Sequence, residues 1–194
     1  MILRDYRIIP IIENKKISTS NYEYIIWGNN ENILRMRQSK NYFIDGTFHH
    51  PPDFTQLLII MYKDIISGIK IPGLYILLNS KKEEIYKYAF SGIINLLKDG
   101  DKISLKVETI VTDQEKALIN IIKKFFPNSK RISCLFHYKQ DILRNLKTYG
   151  LYNKSNKKIS NNILYKLGKL SFQYKSNIDF ILEECKKIYS EYPL

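Results

Sequence analysis

Five consecutive apolar residues, Leu57-Leu58-Ile59-Ile60-Met61, constrain this chain more than any other stretch. A run that short and that continuous predicts a strand buried on both faces, hence in the middle of a sheet. Two more strands flank it. Tyr42-Phe43-Ile44 comes first and leads through a turn at His49-His50-Pro51-Pro52. After a turn at Ser67-Gly68, a third strand covers Ile69 to Leu78, with Pro72-Gly73 marking a bulge or an edge.

The period then changes. Ser80 and Glu83 fit a capping box, and Ile85, Tyr86, Ala89, Phe90, Ile93, Ile94 and Leu97 recur at helical spacing. A fourth strand is expected over Lys106 to Val111, a helix from Gln114 to Phe126 ending before Pro127, and a fifth strand over Lys130 to Leu135. A helix from Phe136 to Thr148 follows, closed by Gly150. The order βββαβαβα is that of an α/β fold with a five-stranded mixed sheet flanked by helices. Three successive strands prefer antiparallel hairpins, and each later crossover adds a parallel strand. The first and fourth strands are therefore expected side by side and parallel.

That arrangement gives two acids a common edge. Asp45 ends the first strand and Asp113 ends the fourth, and ligands in such sheets gather at the carboxyl ends of strands. Taken singly, each has a plainer role. Asp45-Gly46 reads as a turn after a strand. Asp113 reads as a helix N-cap, with Thr112 and Glu115 fitting a capping box.

Charge is unevenly placed. The formal net charge is +12, and between Lys123 and Lys187 fifteen Lys or Arg face only Asp141, Asp179, Glu183 and Glu184. Such a surface suits DNA or RNA, whose phosphates release counterions on neutralisation. Lys139, Arg144, Lys147, Lys154, Lys157 and Lys158 are the candidate contacts. Cys134 and Cys185 are too few for a disulfide framework. The apolar runs near Ile2 and Ile8 are broken by Arg4, Asp5 and Arg7, and no stretch approaches the ~18 apolar residues of a membrane span. A soluble, intracellular protein is expected.

Residues 1–40 carry weak signals and read as an N-terminal lead-in, more helix-like towards Ile33, Leu34 and Met36. Residues 41–150 form the core. In 151–194 a lysine-rich linker, 153–162, precedes two short helices, Ile163 to Tyr174 and Ile178 to Tyr189, the latter with Ile181, Cys185 and Ile188 on one face.

Phe43-Ile44-Asp45-Gly46-Thr47-Phe48, Pro52, Phe54-Thr55-Gln56-Leu57 and Ile71-Pro72-Gly73-Leu74-Tyr75-Ile76-Leu77-Leu78 form an ordered set. Tyr86, Thr112-Asp113-Gln114-Glu115-Lys116-Ala117, Phe126-Pro127 and Cys134-Leu135-Phe136-His137 complete it. With these the chain resembles the catalytic domain of Mutator-like element (MULE) transposases, a DDE-type group with an RNase H-like fold.

The resemblance implies that Asp45 and Asp113 are the first two acids of a DDE triad. They would hold Mg²⁺ (or Mn²⁺) for cleavage and transfer of DNA strands at transposon ends, in the nucleus, with a further copy of the chain as a candidate partner in a homo-oligomer. Cys134 and His137 match the family's Cys-x-x-His, for which a structural or substrate-positioning role is expected rather than a zinc site, since only His49, His50 and Cys185 remain as further ligands. The third acid of such triads lies well beyond that pair, where this chain offers only Glu183, Glu184 and Glu191. The resemblance therefore implies an incomplete copy, poor at strand transfer by itself. A non-catalytic nucleic-acid-binding module derived from a transposase is the alternative. A cellular RNase H-type nuclease shares the fold but is disfavoured by the Cys-x-x-His pair.

Overall fold

The structure is a computed structural model that describes residues 11–17, 21–47, 53–98, 105–152, 155–172 and 177–190. Its elements run β1 (Ile11–Lys16), β2 (Glu23–Gly28), α1 (Asn30–Gln38), β3 (Asn41–Thr47), β4 (Gln56–Lys63), β5 (Lys70–Leu78), α2 (Glu83–Leu97), β6 (Thr109–Thr112), α3 (Lys116–Phe125), β7 (Lys130–Ser133), α4 (Leu135–Thr148), α5 (Lys157–Lys169), a short 3₁₀ turn (Leu170–Phe172) and α6 (Ile178–Ser190). The chain forms two compact units, Met1–Ile132 and Ser133–Leu194. The boundary drawn at Gly150 from composition lies inside the second.

From β3 to α4 the order is the βββαβαβα read from the sequence, but the five-stranded expectation is corrected. Among the described residues the sheet has seven strands in the order β1-β2-β5-β4-β3-β6-β7. The extra two come from the stretch taken for a lead-in. β2 pairs antiparallel with β5 from Tyr24↔Leu78 to Gly28↔Leu74, and β1 pairs antiparallel with β2 outside it. Tyr24, Ile26 and Gly28 turn into the core while Glu23, Ile25 and Trp27 do not, the period-2 pattern of a strand. β1 ends the strand order on that side.

β4 is the central strand, as its apolar run implies, yet it is not buried on both faces. Its side chains alternate between fully and partly buried. In one row the buried Ile26, Ile76 and Leu58 and the partly buried Gly46 stand in register across β2, β5, β4 and β3; in the row beside it stand Trp27, Tyr75, Ile59 and Asp45. The pairing of β4 with β5 skips Gly73, which makes the bulge expected at Pro72-Gly73.

α2 packs Ile85, Tyr86, Ala89, Phe90, Ile93, Ile94 and Leu97 into the core, and α3 adds Leu118, Ile121 and Ile122. Each large side chain buried here contributes about 1.5–3 kcal/mol, and together they outweigh a single cap of about 0.5–2 kcal/mol. Packing therefore decides where α2 begins. The Ser80–Glu83 capping box does not form: Lys82 is the N-cap residue, without a side-chain cap bond, and Ser80 Oγ only accepts from the Lys82 N–H at 3.2 Å.

In the second unit, Leu146 of α4, Ile163 of α5 and Cys185 of α6 form a small core, with Ile181 and Ile188 packed against it. The linker expected over 153–162 is corrected where the structure describes it, because α5 already begins at Lys157. Ile159 and Ile163 recur at i, i+4 against this core, and Ser160 is buried with its hydroxyl bonded to the Leu151 carbonyl. Gly150, at φ 71°, closes α4 in the left-handed conformation that a helix end favours.

Candidate functional site

β3 and β6 pair in parallel, Asn41↔Thr109 through Ile44↔Thr112. The next residue on one chain is Asp45 and on the other Asp113. Ile44 and Thr112 are both buried, at 3% and 0% exposure, and alternation turns the two acids away from that core. Asp45 is exposed and Asp113 partly buried. Backbones of paired strands run about 4.8 Å apart. Two acids 68 residues apart in sequence thus leave adjacent strands at one carboxyl edge.

Asp113 does not cap α3, and the Thr112–Glu115 capping box is absent. Glu115 is the N-cap residue and makes no side-chain cap bond; Asp113 Oδ1 accepts from the Glu115 N–H at 3.1 Å. The Glu115 side chain goes elsewhere. The Tyr86 hydroxyl donates to Glu115 Oε1 at 2.6 Å, and the Gln56 amide donates to Oε2 at 3.4 Å. The side-chain oxygen of Gln56 is a second acceptor within reach of the same Tyr86 hydroxyl, whose one proton the two acceptors share, and Tyr86 and Gln56 are both buried. Burial first, and then the Glu115 carboxylate, hold the Tyr86 phenol well above the ordinary tyrosine value.

This network passes beneath the end of β3. A Cβ on Gly46 would stand 2.1 Å from Gln56 Nε2, so the carboxamide occupies the space that a side chain beside Asp45 would need. Asp-Gly here is more than a turn, because Gly46 still pairs with Leu58 inside the strand. Sequence reasoning missed Gln56 and Tyr86 as site residues. Both belong to the motif set that carries the family resemblance, but the residues themselves offered only a buried-type position occupied by a group with a hydrogen bond to satisfy.

Cys134 directly precedes α4 as its N-cap residue without a side-chain cap bond, and His137 lies in the first turn, its ring edge-on to Phe136 with centroids 5.5 Å apart. Among the described residues no group of three or more His, Cys, Asp or Glu is placed to hold a metal ion. His49 and His50 lie outside the described residues. Glu183 pairs with Lys186 at 2.6 Å and Glu184 with Lys166 at 2.9 Å, while Glu191 lies outside the described residues.

Of the basic candidates, Lys139, Arg144 and Lys147 are exposed on α4, and Lys157 and Lys158 are exposed in the first turn of α5; Lys154 lies outside the described residues. Arg144 pairs with Asp141 at 3.0 Å. A cavity of about 520 Å³ lined by Leu34, Arg37, Lys40, Ile65, Leu97 and Lys106 opens at the amino ends of β3 and β6, the edge opposite the two acids. Among the described residues no helix is long and apolar enough to cross a membrane.

The donor set at the carboxyl edge is two carboxylates. That fits Mg²⁺, which takes oxygen ligands at one or two carboxylates and keeps water or phosphate elsewhere. Compared with protein families, residues 42–141 match the MULE transposase domain. No curated protein matches the chain.

Proposed function

The chain belongs to the MULE transposase domain family, and from that membership we propose a transposase-derived DNA-processing domain of RNase H-like fold whose ancestral reaction is Mg²⁺-dependent cleavage and transfer of DNA strands. One observation carries this reading: the parallel register of β3 and β6 brings Asp45 and Asp113 to neighbouring positions at one open edge. The βββαβαβα order of β3 to α4 supports the fold assignment.

Asp45 and Asp113 would hold the cation, which supplies activation of a water or 3′-hydroxyl and stabilisation of the leaving oxygen. The chain's own part is placement. β3 and β6 are interior strands, so both carboxylates sit on rigid backbone, and the hydrogen bond from the Glu115 N–H fixes one oxygen of Asp113. The exposed cations of α4 and α5 would hold the DNA backbone, which positions a duplex without reading its sequence.

A second reading is a nucleic-acid-binding module without catalysis, which the exposed cations of α4 and α5 would serve equally well. One experiment separates the two. Supercoiled plasmid is incubated with the full chain and Mg²⁺ or Mn²⁺, with Asp45→Asn and Asp113→Asn as variants of matched circular dichroism. Nicking by the wild type that both variants lose supports the enzyme. Salt-sensitive DNA binding with no nicking by any of the three overturns it in favour of the module.

A further inference from the structure

We propose that Gln56, Tyr86 and Glu115 are positioning residues that clamp the turn bearing Asp113, so that this carboxylate meets a cation in one fixed orientation. The inference rests on reading Asp45 and Asp113 as metal ligands.

The clamp joins three elements. Gln56 opens β4, Tyr86 lies in the first turn of α2, and Glu115 stands at the head of α3. Gln56 is 1% exposed and Tyr86 0%, so neither has room to follow a moving partner. Glu115 is held at both carboxylate oxygens, at 2.6 and 3.4 Å, and its own N–H holds Asp113 Oδ1 at 3.1 Å. With Oδ1 engaged, Oδ2 is the Asp113 oxygen that no described group holds.

Core stability does not require this arrangement. Tyr42 and Tyr62 are buried as deeply, yet their hydroxyls are satisfied by the Met36 carbonyl at 2.9 Å and by Asn32 Oδ1 at 3.3 Å. Neither uses an acid. Bringing a carboxylate against a buried phenol costs desolvation that a carbonyl partner avoids. The carboxylate placed against Tyr86 lies two residues from Asp113, and the carboxamide beside it fills the space over Gly46, next to Asp45. A network that touches the backbone beside both acids suits an outer shell, whose partners orient ligands that touch metal.

The test is Mn²⁺ binding by the full chain, read from the electron paramagnetic resonance of free Mn²⁺ well below each protein's Tm. Wild type, Asp45→Asn, Tyr86→Phe and Glu115→Gln are compared. Gly150→Ala serves as a control that lowers Tm from the second unit. We expect Asp45→Asn to abolish binding, and Tyr86→Phe to weaken it by roughly tenfold, the lower end of what loss of an outer-shell partner does to metal affinity. Glu115→Gln keeps the N–H on Asp113 but loses one acceptor oxygen, and should weaken binding less. Gly150→Ala should not alter it.

Asp45-dependent Mn²⁺ binding that both clamp variants leave within twofold of wild type overturns the clamp and leaves the metal site standing. So does weakening by Gly150→Ala equal to that by Tyr86→Phe, since stability alone would then explain the change. Absence of Asp45-dependent binding in the wild type overturns the metal site itself, and the clamp with it. Should Tyr86→Phe fail to fold, Glu115→Gln decides on the same criterion.

Discussion

Gly46 lies directly against the carboxamide of Gln56, so close that a Cβ would stand 2.1 Å from Nε2. The carboxamide has room to swing only by leaving Tyr86 and Glu115. Gly46→Ala should therefore destabilise the first unit by about 1–3 kcal/mol, the usual result of overfilling a packed site. Removing the obstacle tests the cause. In a Gln56→Ala background the same substitution should cost less than in the wild type, as contacting residues do not add. Urea denaturation of the four proteins measures it, and equal costs in both backgrounds would show that the two residues do not compete for one space.

Tyr42 and Tyr86 give the fold an alkaline limit. Burial raises both phenols above the ordinary value of 10.0, and Glu115 adds to the rise at Tyr86. A raised folded-state value means stability that is complete below pH 10 and declines above it, because only the unfolded chain then releases those protons. Tyr42→Phe should make the decline shallower by at most about 1.4 kcal/mol per pH unit. Urea midpoints between pH 8 and 11 test this, and a slope identical to wild type would remove Tyr42 from the account.

How much of this was legible in the sequence depends on whether the signal was periodic. The apolar face of α2 and the end of α4 at Gly150 were readable because burial repeats at the spacing of a helix and a left-handed helix end favours glycine, whereas the unbroken β4 run gave the central strand but hid its alternating burial. The parallel pairing of β3 with β6 followed from chain order alone, and it brings Asp45 and Asp113 together.

β1 and β2 were not readable. β1 carries Glu13, Lys15 and Lys16, and in β2 the apolar Ile25 and Trp27 on the less buried side mask the alternation. The Gln56–Tyr86–Glu115 network has no period, since it joins positions about 30 residues apart through side-chain tips. Glu115 even carried a misleading local signal, spaced from Thr112 as in a capping box. Tyr86 and Gln56 take its carboxylate instead.

Asp64 sets the acid side. It is 4% exposed where β4 enters its hairpin, and its Oδ2 accepts from the Ser67 N–H at 2.9 Å and the Ser67 hydroxyl at 2.8 Å, while Arg35 reaches Oδ1 at 3.4 Å. The Ser67 backbone bond above all, then the Ser67 hydroxyl and Arg35, hold the carboxyl below its ordinary value of 3.8. A lowered value contributes stability above that pH, lost as pH falls through the folded-state value. Asp64→Asn should destabilise the protein at pH 6 and flatten the loss of stability between pH 5 and 2. An acid slope equal to wild type in urea titrations would place the acid sensitivity elsewhere.

Lys157 and Lys158 occupy the first turn of α5, which holds no acid. A helix N-terminus already carries partial positive charge, so two cations there oppose the dipole by about 0.3–1 kcal/mol each. Replacing both with Gln should leave stability unchanged or slightly raised. DNA affinity should move the other way. If each lysine neutralises one phosphate, the slope of log K against log salt should become shallower by about 1.8, at 0.9 per contact. Fluorescence anisotropy with a labelled duplex between 50 and 300 mM salt, alongside a thermal melt, reads both quantities. An unchanged salt slope would show that these lysines only solvate the surface, whereas a shallower slope with a fallen Tm would mean that the helix, not the charge, had been lost.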